Sequence, residues 1–375
     1  MAKLIVIGNG FDLQAKLDSK FDDFFQNNER KKIESWIGNN SMSLENVSFI
    51  SLLLYNTYYR PTTYRGYGIQ TEEINFNKEY QRRLSVDSNK ENWMDVEAFL
   101  RSLLSEKMIK LFEGLYDDTI KHQRNYFPIC DEDGVKSFIN KSSVLLRNQN
   151  IRNYMEYLHS ELGVFESEFA QYLRDLLKEH KRYGEYTDII MKSLINGHPN
   201  GKILNFNYTS VGNFEGYIEN NVHGKINDLP IIGIDGEEID GEAIEFTKTY
   251  RKLIRNDSPI ILNTIFDEIV IYGHSLGGQD YSYFESVFDF VDLYNGNTVV
   301  KFIYSDNFLN SDLEKKKYRN SMTNKLFALI RKYGASLNKD NTNNLLHRLI
   351  LEGRIKLEKD NFIDNEWIYI EREEV

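Results

Sequence analysis

The opening stretch Leu4-Ile5-Val6-Ile7-Gly8-Asn9-Gly10-Phe11-Asp12 constrains the chain more than any other. Four consecutive branched apolar residues predict a strand buried on both faces, as in a parallel sheet. Gly8 and Gly10 then predict a tight turn. Beyond it Leu13, Leu17, Phe21, Phe24 and Phe25 recur at a helical period, which predicts an amphipathic helix from Leu13 to Phe25. Such a strand-turn-helix places its turn at the carboxyl end of the first strand, where glycines admit close backbone approach and a helix N-terminus offers N–H groups. The turn is a nucleotide-pocket candidate, with Gly8, Asn9, Gly10 and Asp12 as its binding residues.

The turn departs from the dinucleotide fingerprint, because Leu13 stands where a third glycine is expected. Asp12 is equally unusual: a carboxylate at a helix start repels a phosphate seated on the same N–H groups. It reads either as a helix cap or as a partner for a ribose hydroxyl or a substrate water.

The 375 residues leave room for two or three domains. A single cysteine, Cys130, removes disulfides and any four-cysteine zinc site and favours a reducing compartment. The start lacks a charged region followed by a long apolar one, and no run approaches the roughly 20 apolar residues of a membrane span. A cytoplasmic protein with no membrane partner is therefore expected. A net charge of −11 argues against a broad nucleic-acid surface. No metal site is expected either, since no cluster of metal-binding carboxylates stands out.

Along the chain, Tyr55 to Glu79 lacks any period and reads as an irregular connection. Helical periods run from Trp93 to Phe112, from 149 to 180 and from 183 to 196. Strands then return at Lys202–Phe206, just before His223, at Pro230–Gly233, at Glu268–Tyr272 and at Val299–Ile303. Helical patterns separate them at Val211–Glu219, Glu242–Ile254 and Tyr281–Leu293. This alternation predicts an α/β fold: a Rossmann-like parallel sheet with helices on both faces, plus a large, mostly helical insertion. The expected division is a nucleotide-binding core over 1–25 and 198–310, a helical insertion or cap over 26–197, and C-terminal helices over 311–375. Arg354–Glu358 and Trp367–Ile370 are expected to form an antiparallel edge hairpin.

In a parallel sheet the residues just past the strands share one edge. The first strand delivers Gly8-Asn9-Gly10, the second Asn205 to Thr209, the third His223-Gly224, and the fourth Gly273-His274-Ser275-Leu276 with Asp280 a turn further on. Taken singly, each has a bland reading as turn former, cap or core histidine. Four polar strand ends on one edge are hard to ascribe to packing.

Through Ile7-Gly8-Asn9-Gly10-Phe11-Asp12, Trp93-Met94-Asp95-Val96-Glu97, Phe206-Asn207-Tyr208-Thr209, Val222-His223-Gly224, Phe246 with Lys248, and Gly273-His274-Ser275-Leu276 with Asp280, the chain resembles the AbiH family of bacterial abortive-infection proteins. The resemblance implies a defence role that stops phage propagation, with a phage-derived trigger and a second copy of the chain among its expected partners. A wider resemblance is to sirtuin-like NAD-consuming domains, which order a glycine turn, an asparagine motif, His-Gly and Gly-x-Ser-Leu as here. It implies a sirtuin-like nucleotide core with NAD as substrate: Asn207 positions water or ribose, His223 acts as base, and Thr209, Gly273, Ser275 and Asp280 join the turn in binding the nucleotide. Asp12 stands where a small hydroxyl is usual and Thr209 where an aspartate is usual, and the single cysteine rules out a zinc module. The chemistry suits these residues. The nicotinamide leaving group is already positively charged, so cleavage needs a held ribose, an oriented water and a base, and a histidine's unperturbed pKa of about 6.5 supplies the last.

Two rival readings remain. Gly273-His274-Ser275-Leu276-Gly277 is also a literal G-x-S-x-G, the nucleophile elbow of serine hydrolases, but the one histidine downstream of it, His347, reads as a helix interior. The other is a non-catalytic nucleotide sensor or scaffold. Glu97 reads as a solvated helix face or a ribose ligand, and Lys248 as a surface charge or a phosphate partner.

Overall fold

The computed structural model describes residues 2–29, 31–32, 48, 50–51, 96–106, 109–110, 142, 144–146, 151–234, 241–255, 259–306, 309–337 and 344–360. Its strands are β1 (Ala2–Ile7), β2 (Gly201–Asn205), β3 (Tyr217–Asn221), β4 (Phe266–Tyr272), β5 (Val299–Tyr304) and β6 (Ile355–Lys359). The helices are α1 (Gly10–Gln14), α2 (Phe21–Phe24), α3 (Val96–Leu103), α4 (Ile151–Glu179), α5 (Tyr183–Ile195), α6 (Lys248–Arg255), α7 (Tyr281–Phe290), α8 (Asp312–Ser336) and α9 (Leu345–Leu351).

The strands form one sheet in the order β3-β2-β1-β4-β5-β6, with every pair parallel. This is the strand order of the doubly wound dinucleotide-binding folds, and the chain is α/β and Rossmann-like. Its order reverses between β1 and β4, so a crevice is expected at their carboxyl ends. Side chains alternate across β1 with the pleat. Leu4 and Val6 pack with Phe284, Leu329, Tyr333 and Leu349, residues of α7, α8 and α9. Ile5 and Ile7 pack on the other face with Phe11, Tyr183, Ile190 and Leu194 from α1 and α5.

Contacts divide the chain into two units, one of 1–19, 173–231 and 251–375 and the other of 20–172 and 232–250. The first holds the whole sheet. α5 belongs to it, burying Tyr183, Tyr186, Thr187, Ile190, Met191 and Leu194 at helical spacing and ending at Asn196, whose φ of 45° supplies the left-handed cap. α8 starts with a capping box: Ser311 Oγ accepts from the Glu314 amide and Glu314 Oε2 from the Ser311 amide. In the second unit Phe21 and Phe24 pack against Phe165 and Phe169.

Three sequence expectations need correction. The helix expected from Leu13 to Phe25 is broken: α1 ends at Gln14, Lys16 takes a φ of 63°, and α2 begins at Phe21. Leu17 is buried with the sheet residues while Phe24 joins the aromatic cluster of the second unit, so the apolar period merges two separate cores. Val211–Glu219 is not a helix, because Gly212 and Gly216 sit at φ 95° and 78° and β3 starts at Tyr217. Pro230–Gly233 is not a strand: the Ile231 amide bonds to the His223 carbonyl and the Ile232 amide to Glu166 Oε1, leaving only a bridge from Ile234 to Thr247. β6 itself pairs parallel with β5. Trp367–Ile370, Tyr55–Glu79, Cys130 and Asp95 lie outside the described residues.

Candidate functional site

Two turns meet at the β1/β4 reversal. The Gly8 amide bonds to the Tyr272 carbonyl at 3.1 Å and the Gly10 amide to the Gly273 carbonyl at 2.8 Å. A Cβ on Gly10 would stand 2.7 Å from the Gly273 oxygen, and one on Gly8 2.6 Å from His274 Cα. The glycines therefore let the two turns approach each other. Asn9 is tied inward as well, its Oδ1 accepting from Ser19 Oγ at 2.6 Å.

Asp12 lies on α1 directly after this turn and is 1% exposed. Tyr183, on α5, donates to its Oδ1 at 2.8 Å. Thr209 donates to both oxygens at 2.9 and 2.8 Å, and Asn207 Nδ2 to Oδ1 at 3.3 Å. Burial pushes the Asp12 carboxyl up to about 6, against the pull of the Thr209 and Tyr183 hydrogen bonds. Burial, followed by the Asp12 charge, also holds the Tyr183 hydroxyl well above its ordinary value.

The loop carrying Asn207 and Thr209 is laced from below. Asn205 Oδ1 accepts from the Asn207 amide, and its Nδ2 reaches the Thr209 carbonyl. Asn221 Nδ2 donates to the carbonyls of both Asn207 and Thr209. Asn207 itself is 3% exposed, and among the described residues its Oδ1 has no hydrogen-bond partner. Buried amide oxygens are normally satisfied, so this one is a place for a ligand donor or a bound water.

A second cluster gathers beside Phe206. His223 Nε2 lies 3.3 Å from Asp280 Oδ1, and His274 Nε2 lies 3.4 Å from Asp280 Oδ2. The Phe206 ring meets His223 and His274 edge-on with centroids 5.5 and 4.6 Å away, and it stacks on Phe284. Asn207 and His223 thus engage different carboxylates, Asp12 and Asp280.

Sequence reasoning overlooked two members of these clusters. Tyr183 sits in an ordinary amphipathic helix and carries no local signal. His274 was hidden inside the G-x-S-x-G match. In that segment Ser275 is exposed, and the positive φ values fall on Gly273 and Leu276, at 64° and 53°, not on the serine as a strained nucleophile elbow requires. His347 lies inside α9. Lys248 is not a surface charge: it is buried and paired with Glu97 within the second unit. Among the described residues no group of three or more metal-binding side chains occurs, and no helix is long and apolar enough to cross a membrane.

The family model described as bacteriophage abortive infection AbiH matches residues 4–304. The chain belongs to the AbiH family. Its match runs from β1 to the end of β5 and includes both clusters of this AbiH chain. No curated protein and no solved structure matches it. Membership in AbiH associates the chain with the abortive-infection response to bacteriophage.

Proposed function

We propose that this AbiH chain acts in phage defence by hydrolysing NAD at its nicotinamide–ribose bond, on a sirtuin-like division of labour. The observation that carries this reading is the strand order, which brings Asp12, Asn207, Thr209, His223, His274 and Asp280 to the carboxyl edge of one parallel sheet, where dinucleotides bind in folds of this type. Asn207 orients water or ribose through its side-chain amide. His223 takes the proton of the attacking water. Gly8, Asn9, Gly10, Asp12, Thr209, Gly273, Ser275 and Asp280 form the surrounding nucleotide-binding shell, with Asp12 a partner for a hydroxyl and not for a phosphate. The proposed setting is the cytoplasm of the infected cell, with a phage-derived component as trigger and a second copy of the chain as partner.

Nicotinamide release from NAD by the purified full chain tests this, with a phage-infected lysate as activator and His223→Ala beside the wild type. Release that disappears in His223→Ala supports the reading. Wild-type turnover in that variant ends the role of His223. No release with or without lysate, together with no NAD binding by calorimetry, overturns the hydrolase reading.

A further inference from the structure

Two histidines from different strand ends turn the same ring nitrogen toward one carboxylate. Asp280 Oδ1 faces His223 Nε2 at 3.3 Å and Oδ2 faces His274 Nε2 at 3.4 Å. Both rings are buried and aromatic neighbours set their planes: Phe206 meets each edge-on, Phe284 meets His274 at 4.9 Å, and Tyr283 meets His223 at 6.2 Å.

One hydrogen bond fixes the proton on His274. Its Nδ1 accepts from the Leu276 amide at 2.9 Å, so its ring proton sits on Nε2, the nitrogen 3.4 Å from Asp280 Oδ2. The same bond argues against His274 as a metal ligand, since binding a cation through Nε2 would require the ring to give up that proton as well. Asp280 Oδ2 thus lies beside a protonated ring nitrogen, and Oδ1 lies 3.3 Å from His223 Nε2.

We propose that Asp280, steadied by His274, holds the Nε2 proton of His223 and so makes Nδ1 the nitrogen that acts as base. This rests on the hydrolase reading above and assigns Asp280 and His274 as positioning residues. In the step it serves, the water oxygen bonds to C1′ of the ribose as the C1′–N bond breaks, and the bonding pair leaves on neutral nicotinamide. The water proton passes to His223 Nδ1, and the resulting imidazolium faces the Asp280 carboxylate until the proton passes to solvent. Products are nicotinamide, ADP-ribose and one proton, so no metal or redox partner enters the balance.

The test combines a proton location with a rate. Full-length protein labelled with ¹⁵N-histidine reports the tautomer of each ring through two-bond ¹H–¹⁵N correlations, in the wild type, Asp280→Asn and His274→Phe. Expected are an Nε2-protonated His223 in the wild type, a shift of that proton toward Nδ1 in Asp280→Asn, and a fall in kcat on the order of 10²–10⁴-fold with KM little changed. His274→Phe keeps an aromatic ring against Phe206 and loses the protonated nitrogen beside Asp280, so its fall in kcat is smaller. A wild-type His223 protonated on Nδ1, or an Asp280→Asn variant with wild-type tautomer and turnover, overturns the proposal. If the wild type releases no nicotinamide, the hydrolase reading fails by itself, and the tautomers alone decide whether Asp280 orients His223.

Discussion

The Tyr183 hydroxyl donates to Asp12 Oδ1 at 2.8 Å across a separation of 171 residues. This bond ties α5 to the glycine turn and gives a buried carboxylate one of its few donors. Tyr183→Phe removes the donor without opening a cavity. The carboxylate is then less well satisfied, so the variant is expected to be about 1–3 kcal/mol less stable by urea unfolding at pH 8. The deficit shrinks at pH 5, where Asp12 takes up a proton and no longer needs the donor as a charge partner.

Asp12→Asn is expected to stabilise the protein at neutral and alkaline pH. The folded-state pKa of about 6 lies above the ordinary 3.8, so the folded chain binds the proton more tightly than the unfolded one. Stability from this group is fully present below about pH 4 and is lost as pH rises through 6, a difference of about 3 kcal/mol by linkage. Asparagine has nearly the same shape and no charge to desolvate. Thermal melts at pH 8 should place the variant above the wild type, with the gap closing by pH 4. On the proposed function it also loses nicotinamide release, a trade of activity for stability.

The first strand and its turn were legible because a branched apolar run bounded by glycines has few competing folds. The parallel α/β class was legible for the same reason: strands alternating with helical periods admit little else. The break after Gln14 was not, since Leu17, Phe21 and Phe24 keep a helical spacing while serving different cores. Nor was the fate of Ile231 and Ile232, whose amides pair with a carbonyl and a glutamate and not with a strand. Contacts such as Tyr183 with Asp12 or His223 and His274 with Asp280 depend on chain paths that no local pattern encodes.

Gly273→Ala and Gly10→Ala test how tightly the two turns are matched. Gly273 has a φ of 64°, and a Cβ there would lie 2.5 Å from the Phe11 amide nitrogen. At Gly10 the obstacle is the Gly273 backbone, at 2.7 and 2.8 Å. Backbone cannot swing aside as a side chain can, so each variant is expected to lose more than about 2 kcal/mol in urea unfolding. Ala at Gly163, which has open space around it, serves as the control and should change stability little or favourably.

Lys3 offers a test at the opposite end of the sheet. Its buried ammonium donates to the carbonyls of Leu194 and Ile195 at 2.9 and 3.1 Å, where α5 ends, and pairs with Glu268 at 2.9 Å. Burial pushes the Glu268 carboxyl up, but hydrogen bonds from Lys301 and Lys3 outweigh it and hold it below its ordinary value. Lys3→Ala removes one of the two lysines paired with Glu268, leaving Lys301, and strips two helix-end carbonyls of their donor, a loss expected at about 1–3 kcal/mol. A depressed carboxylate stabilises the fold above its unfolded pKa, and that contribution fades as pH falls through the folded value. Without Lys3 the Glu268 carboxyl moves back up, so urea midpoints of wild type and variant should differ most at pH 7 and approach each other at pH 3.5. A gap of the same size at both pH values would mean that Lys3 stabilises the sheet through the α5 carbonyls alone.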